Sequence, residues 1–217
     1  MSYPEEIIRK FHTVSTASVA DAVDLIAGRR GYLHHAIKPR INEKKVVGPA
    51  VTVAEVPTEE KHPPTHALDL IDASPVGSVM VIGTGGEHDL AVWGGLMTAG
   101  AVVNGFAGAI LDGGVRDVGE IRRDYDFPVY ARSVSPGTTV GRFRTLAANV
   151  PVDCGGVTVH PGDLIVADID GVVVVPQAHV DAVLAMSLDI EQKELEQARF
   201  IRETGSLKAG LAKFQRI

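Results

Sequence analysis

Between residues 45 and 112 the chain alternates short β-branched runs with stretches of helical spacing, and this order restricts the fold more than any other feature. Val46-Val47, Val51-Thr52-Val53-Ala54 and Val79-Met80-Val81-Ile82 read as strands bounded by turn residues. Thr65 to Ala73 carries Leu68, Ile71 and Ala73 at helical spacing. A further helix is expected from about Ala91 to Val103, where Gly94, Gly95, Ala99, Gly100 and Ala101 let another backbone approach closely. It ends near Asn104-Gly105, and Ala109-Ile110-Leu111 is the next strand. Strand, helix and strand in succession imply parallel neighbours joined by right-handed crossovers, hence an α/β fold.

The flanks extend that unit without dividing it. Residues 4–28 read as two helices: Pro4 stands at the start of the first, Ser15 or Thr16 caps the run Ala17 to Ala27, and Gly28 closes it. Asp117 to Tyr125 reads as a short helix and Val129 to Arg132 as a strand. From Val150 the pattern is all β, with turns at Gly155-Gly156, Pro161-Gly162-Asp163 and Asp170-Gly171. A long amphipathic helix covers about 179–204 and stops at Gly205. No linker or repeat interrupts residues 1–217, so a single domain is expected.

A net charge of −6 with scattered Lys and Arg argues against nucleic acid as a partner, which would need a clustered basic surface. The lone Cys154 can form neither an internal disulfide nor a structural zinc site. No stretch reaches the length of a membrane span, and the acidic, Pro-broken N-terminus lacks a signal-peptide core; the expectation is a cytoplasmic protein without membrane contact.

Chemistry concentrates in Leu111-Asp112-Gly113-Gly114-Val115-Arg116-Asp117, where an apolar strand runs into glycines and then an Arg-Asp pair. Ligands in α/β sheets gather beyond the carboxyl ends of strands. Arg116 can grip a carboxylate with two parallel hydrogen bonds, and Asp117 offers oxygen to a hard cation. The competing reading makes Asp117 a helix N-cap, with Glu120 in capping-box register and Arg116 an exposed ion-pair partner. Gly83-Thr84-Gly85-Gly86, followed by Glu87, His88 and Asp89, could form an anion site or a plain loop. Trp93 reads either as a pocket wall or as core.

Taken in order, Ala91-Val92-Trp93-Gly94-Gly95-Leu96, Gly108 through Asp117, Phe127-Pro128-Val129, and Gly155-Gly156-Val157 through Pro161-Gly162-Asp163 to Asp168-Ile169-Asp170-Gly171-Val172 resemble the RraA-like family. That family includes 4-hydroxy-4-methyl-2-oxoglutarate/4-carboxy-4-hydroxy-2-oxoadipate aldolases. The resemblance spans roughly residues 15 to 205. It implies an αββαβα sandwich resembling the swivelling phosphohistidine domain, assembled as a homotrimer or hexamer with sites between subunits. It further implies a class II pyruvate aldolase with oxaloacetate decarboxylase side activity, acting on a small 2-oxo acid with Mg²⁺ or Mn²⁺.

By the same resemblance Arg116 binds the oxo acid and Asp117 ligates the metal. Backbone N–H groups around Gly94, Gly95, Leu96 and Met97 hold the pyruvyl carboxylate. An acid arrives from a neighbour's C-terminal helix, best matched by Glu194, with Glu191 and Glu196 as rivals. Many family aldolases carry Asp or Glu where this chain has Gly95, and Glu87 or Asp89 is the expected substitute. Two alternatives stand beside this reading. One is a regulator that inhibits ribonuclease E by protein contact; the retained Arg116-Asp117 pair speaks against it. The other is a methyltransferase, for which a ribose-binding acid at the required spacing is missing.

Overall fold

The computed structural model describes residues 2–87 and 89–215. Helices α1 (Glu5–Thr13) and α2 (Thr16–Ala27) open the chain. Ser15 caps α2 by accepting the Ser18 N–H, and Gly28 ends it in the left-handed conformation. Then follow β1 (Lys38–Pro39), β2 (Val46–Pro57), α3 (Thr65–Ala73), β3 (Val79–Gly83), β4 (Ala91–Trp93), α4 (Gly95–Val103) and β5 (Gly108–Val115). A single turn, α5 (Val118–Glu120), runs into a π turn at Ile121–Tyr125. The remainder is β6 (Val129–Val134), β7 (Phe143–Ala148), β8 (Val152–Cys154), β9 (Val157–Val159), β10 (Leu164–Asp168), β11 (Gly171–Val175), α6 (Val180–Thr204) and α7 (Leu207–Phe214).

Strands β2, β3, β5 and β6 are mutually parallel, as the alternating order requires. The two short runs expected between Val46 and Ala54 are one strand. β2 pairs antiparallel with β10 along Val46–Pro49, parallel with β3 along Ala50–Ala54, and antiparallel with β7 along Val53–Pro57. Pro49, which has no N–H to give a ladder, falls where β2 changes partner and so does not break it.

Ala91-Val92-Trp93 is likewise a strand where a helix start was expected: β4 lies parallel to the end of β5. The run is wholly buried, and α4 begins only after it. β1, β7 and α7 are elements that the sequence pattern did not show.

The central parallel strands β3 and β5 are buried on both faces, so their residues alternate between two cores. Met80, Ile82 and Leu111 pack under Ala67, Leu70 and Ile71 of α3, together with Trp93, Ile121 and Phe127. Val79, Val81, Ile110 and Tyr130 face the other way, into the concave side of a sheet that curls until β10 and β11 close over it. Lys38 Nζ of β1 donates to the Asp170 carbonyl (2.7 Å) beside β11, so the two ends of the sheet nearly meet. The outer face of β10 and β11 is covered by α1, α2 and α6 through Phe11, Val19, Val183 and Ile190. Curling leaves the carboxyl ends of β4 and β5 and the start of α4 together at one rim. Among the described residues no helix is long and apolar enough to cross a membrane.

Candidate active site

β5 ends at Val115, and the chain turns at once: Arg116 donates its backbone N–H to the Trp93 carbonyl (3.0 Å) at the end of β4. Asp117 then takes a left-handed conformation (φ 58°, ψ 29°), an arrangement that non-glycine residues adopt at some energetic cost. The turn points its carboxylate away from its own helix and at the start of the preceding one, α4. Asp117 makes no side-chain bond to α5; its Oδ2 accepts the Gly95 N–H (3.0 Å) at the first residue of α4. The capping-box expectation for Asp117 and Glu120 is therefore replaced by a contact between elements. The positive end of the α4 dipole favours an anion there.

Arg116 Nε lies 3.5 Å from the same Asp117 oxygen, and both side chains remain partly exposed (43% and 38%). The glycines of α4 make room for these groups. A Cβ on Gly94 would come within 2.7 Å of Asp117 Oδ2, and one on Gly95 within 2.5 Å of Glu120 Oε1. Glu120 is the acid that sequence reasoning missed: it lies three residues past Asp117, and the winding of α5 carries its carboxylate onto Gly95. Its place in a capping pattern hid that role. Glu87 and Asp89, the expected substitutes, sit in the loop before β4. The Glu87 side chain accepts the Asp89 N–H (2.7 Å) within its own loop, and neither residue lines the cavity.

Arg116, Asp117, Gly94, Gly95, Leu96 and Met97 line one cavity of about 260 Å³. The backbone N–H of Gly95 is already given to Asp117, which leaves those of Leu96 and Met97 as the helix-start donors for a ligand. Asp117 and Glu120 together present oxygen donors of the kind a hard cation takes. Among the described residues no set of three or more His, Cys, Asp and Glu side chains gathers as a metal cage. Mg²⁺ characteristically needs less, one or two carboxylates with water or ligand oxygens completing the shell, so the pair fits.

Trp93 touches the cavity but belongs chiefly to the core. It is 1% exposed, donates Nε1–H to Thr98 Oγ1 (2.8 Å) and stacks on Phe127. Asp112, the first acid of the motif, faces away. It is 1% exposed, and its Oδ1 accepts from Arg132 Nε (2.6 Å) and the Gly155 N–H (3.0 Å). Burial raises its pKa against the pull of Arg132.

The Gly83–Gly86 loop leads into β4 rather than into a helix, so no helix N-terminus forms an anion site there. Thr84 Oγ1 donates to the Asp112 carbonyl (2.8 Å), tying the loop to β5. His88 lies outside the described residues. Pro161-Gly162-Asp163 is a turn, as expected: Asp163 accepts the N–H groups of His160 (2.9 Å) and Gln177 (3.0 Å).

The three acids of α6 separate by environment. Glu191 accepts the Ser15 N–H (2.8 Å) and the Ser18 hydroxyl (2.9 Å), bonds that outweigh burial and hold its carboxyl below the usual range. Glu196 accepts from Gln192 (2.7 Å). Glu194 is exposed on α6, and within the chain it lines no part of the cavity.

Comparison with known proteins identifies relatives of the chain. A protein from Halalkalibacterium halodurans, carried under the provisional name 4-hydroxy-4-methyl-2-oxoglutarate aldolase, is 36% identical over 182 residues, covering 82% of this chain and 80% of that one. Protein DlpA of Legionella pneumophila is 33% identical over 189 residues, covering 87% of this chain, which spans only 30% of DlpA. Among solved structures, an uncharacterised protein from Pseudomonas syringae pv. tomato superimposes with TM-score 0.86 at 30% identity, covering 98% and 96% of the two chains. Streptomyces coelicolor RraAS2, described as an unusual member of the RNase ES inhibitor RraA protein family, gives TM-score 0.81 at 28% identity, with 92% and 98% covered. Residues 16–174 match the RraA-like family described as Aldolase/RraA, and the chain belongs to that family.

Proposed function

We propose that the protein is a divalent-metal-dependent lyase that splits 4-hydroxy-2-oxo acids to pyruvate and a second carbonyl compound, and that also decarboxylates oxaloacetate. The observation that carries this reading is the meeting of Arg116, Asp117 and the start of α4 at one small cavity, with the Glu120 carboxylate packed against Gly95 beside it. Asp117 and Glu120 would hold Mg²⁺ or Mn²⁺, which supplies Lewis-acid stabilisation of negative charge on the oxo acid.

The rest falls to the chain's own residues. Arg116 pairs with the substrate carboxylate through two parallel hydrogen bonds, and the Leu96 and Met97 N–H groups add donors at a positive helix end. Cleavage between C3 and C4 leaves an enolate of pyruvate, and the Arg116 guanidinium is placed to favour charge as it develops. The C4 hydroxyl must lose a proton as the bond breaks. The Glu120 carboxylate packs against Gly95 and makes no side-chain hydrogen bond to the described residues, which suits it to positioning the acceptor of that proton.

Assembly is part of the proposal. Leu96 and Val103 on α4 are 89% and 84% exposed, an apolar surface that a trimer or hexamer would cover, and Glu194 would reach a cavity only from a neighbouring subunit. The test is pyruvate release from 4-hydroxy-2-oxo acids and from oxaloacetate, with Mg²⁺ or Mn²⁺ and again with EDTA. Turnover abolished by the chelator is the expected result. No metal-dependent turnover, combined with inhibition of a ribonuclease E-type enzyme, would instead support a protein-binding regulator, the second reading that the likeness to RraAS2 brings in.

A further inference from the structure

A second cavity, of about 370 Å³, opens between the start of α2, the segment leading to β1 and the start of β11, and it shares no lining residue with the one at Arg116. Ala17 and Ala20 of α2 and Val172 and Val173 of β11 give it hydrocarbon. Arg30, His34 and Asp170 line it as well, and each is held in place by neighbours that leave its outer polar atoms unused.

Arg30 donates Nε–H to the Tyr32 carbonyl (2.7 Å), and its guanidinium lies 4.5 Å over the centre of the Tyr32 ring. Those contacts fix the plane of the fork, while its two Nη groups have no hydrogen-bond partner among the described residues. His34 is held from behind. Its Nδ1 accepts from Arg132 Nη1 (3.2 Å) and from the Ala36 N–H (3.2 Å). Both partners can only donate, so the neutral ring carries its proton on Nε2. Desolvation and the neighbouring His35 and Arg132 lower its pKa and keep it neutral. Arg132 is itself locked on the buried Asp112 (2.6 Å), so the His34 Nε2–H is a directed donor, without a partner among the described residues.

Asp170 stands on the turn between β10 and β11. Lys38 Nζ donates to its carbonyl (2.7 Å) and its own N–H goes to Asp168 Oδ1 (3.0 Å), which pins the turn. Its carboxylate has no partner among the described residues, and it forms no ion pair with Arg30 although both line the same cavity. One cation, one anion and a directed N–H are thus presented together beside an apolar floor.

We propose that this cavity is a second ligand site and that it takes an apolar α-amino acid. The α-carboxylate lies on the Arg30 fork and the His34 Nε2–H, the α-ammonium lies on Asp170, and the side chain lies on the hydrocarbon of α2 and β11. A zwitterion brings each charge the partner it lacks. The volume falls within the ~300–1,000 Å³ of common ligand sites. Nothing in this assignment depends on the reaction performed at Arg116.

L-Leucine, L-phenylalanine and L-valine, titrated calorimetrically into the natural protein, are the probes. At least one should bind with Kd below about 10 mM. Analogues of the tightest binder that lack one charge, for leucine 4-methylpentanoate and 3-methylbutylamine, should bind at least about tenfold more weakly. Arg30 and Asp170 are exposed, so Arg30→Gln and Asp170→Asn should keep the melting temperature and each weaken the amino acid at least about tenfold. The His34 ring ¹⁵N resonances should show the Nε2–H form and shift on saturation. Affinity weaker than about 10 mM for all three probes overturns the site. An analogue binding within about tenfold of the amino acid, or an affinity that either substitution leaves within about tenfold, overturns it equally. Binding that disappears in Asp117→Asn would place the amino acid at the Arg116 cavity and overturn it too.

Discussion

The carboxylate of Glu120 fills the space that a side chain on Gly95 would need, its Oε1 lying 2.5 Å from where that Cβ would stand. The two positions therefore answer for one acid. Gly95→Asp alone should crowd Glu120 and lower activity, while Glu120→Ala should weaken Mn²⁺ binding. The double variant should recover kcat/KM to within about tenfold of the natural protein, a non-additivity expected of residues in contact. Calorimetric Mn²⁺ affinity and steady-state rates provide the check. A double variant no better than Glu120→Ala would show that the two positions do not exchange.

Backbone and carboxylate can be separated at Asp117. Its left-handed conformation suits Gly and Asn and penalises other residues by roughly 1–2 kcal/mol. Asp117→Gly and Asp117→Asn should hold the melting temperature yet lose at least about 100-fold in kcat/KM, whereas Asp117→Val should lose both. Equal melting temperatures for the Gly and Val variants would count against strain at this residue.

Lysine cannot replace Arg116 conservatively, because a point charge lacks the planar fork that grips a carboxylate. Arg116→Lys should lower kcat/KM by about 100-fold, with KM for the oxo acid rising as well as kcat falling. A change confined to kcat would place Arg116 away from the ground-state carboxylate.

Glu55 gives the protein a pH signature unconnected with catalysis. It is 5% exposed, its Oε2 has no hydrogen-bond partner, and burial pushes its pKa up from 4.5 to about 7. Its cross-strand neighbour Thr145 shares its hydroxyl with His66 Nδ1 (2.8 Å) instead. The folded chain keeps this proton up to about pH 7 and the unfolded chain releases it near 4.5, so between those values the unfolded state binds fewer protons. Stability from this group is thus complete below about 4.5 and falls as pH rises through about 7, by on the order of 3 kcal/mol at most. Glu55→Gln should flatten that slope in urea unfolding curves measured from pH 5 to about pH 8. Parallel curves for the two proteins would contradict it.

Breaking the Asp112–Arg132 pair should be costly. Arg132→Leu strands a carboxylate that is 1% exposed and whose Oδ2 already lacks a partner, so a loss of about 3–5 kcal/mol is expected. Thermal unfolding measures it; a loss under about 1 kcal/mol would mean that water reaches Asp112 freely.

Local pattern carried much of the fold. Gly28 and Gly205 stop α2 and α6 as the spacing indicates, and the parallel β2, β3 and β5 follow from the alternation of strand and helix. Patterns decided by partners distant in sequence were less readable. Ala91-Val92-Trp93 is extended because the end of β5 is there to pair with it, and β7 forms against the far half of β2. At the site, Arg116 and Asp117 were legible because strand end, glycine and charge adjoin in sequence. Glu120 was not, since its register with Asp117 reads as a helix cap until the left-handed turn at Asp117 is known.

The long strand β2 is laddered to β3 and β7 on the way to its end and to β10 near its start, and β10 in turn to β11. Its first four residues must therefore wait for a segment synthesised late. Loop-closure entropy makes such pairing slow, so the parallel strands with α3 and α4 can condense before β10 and β11 close over them. Stopped-flow refolding should accordingly show the Trp93 signal settling before the ends of the sheet are protected from amide exchange.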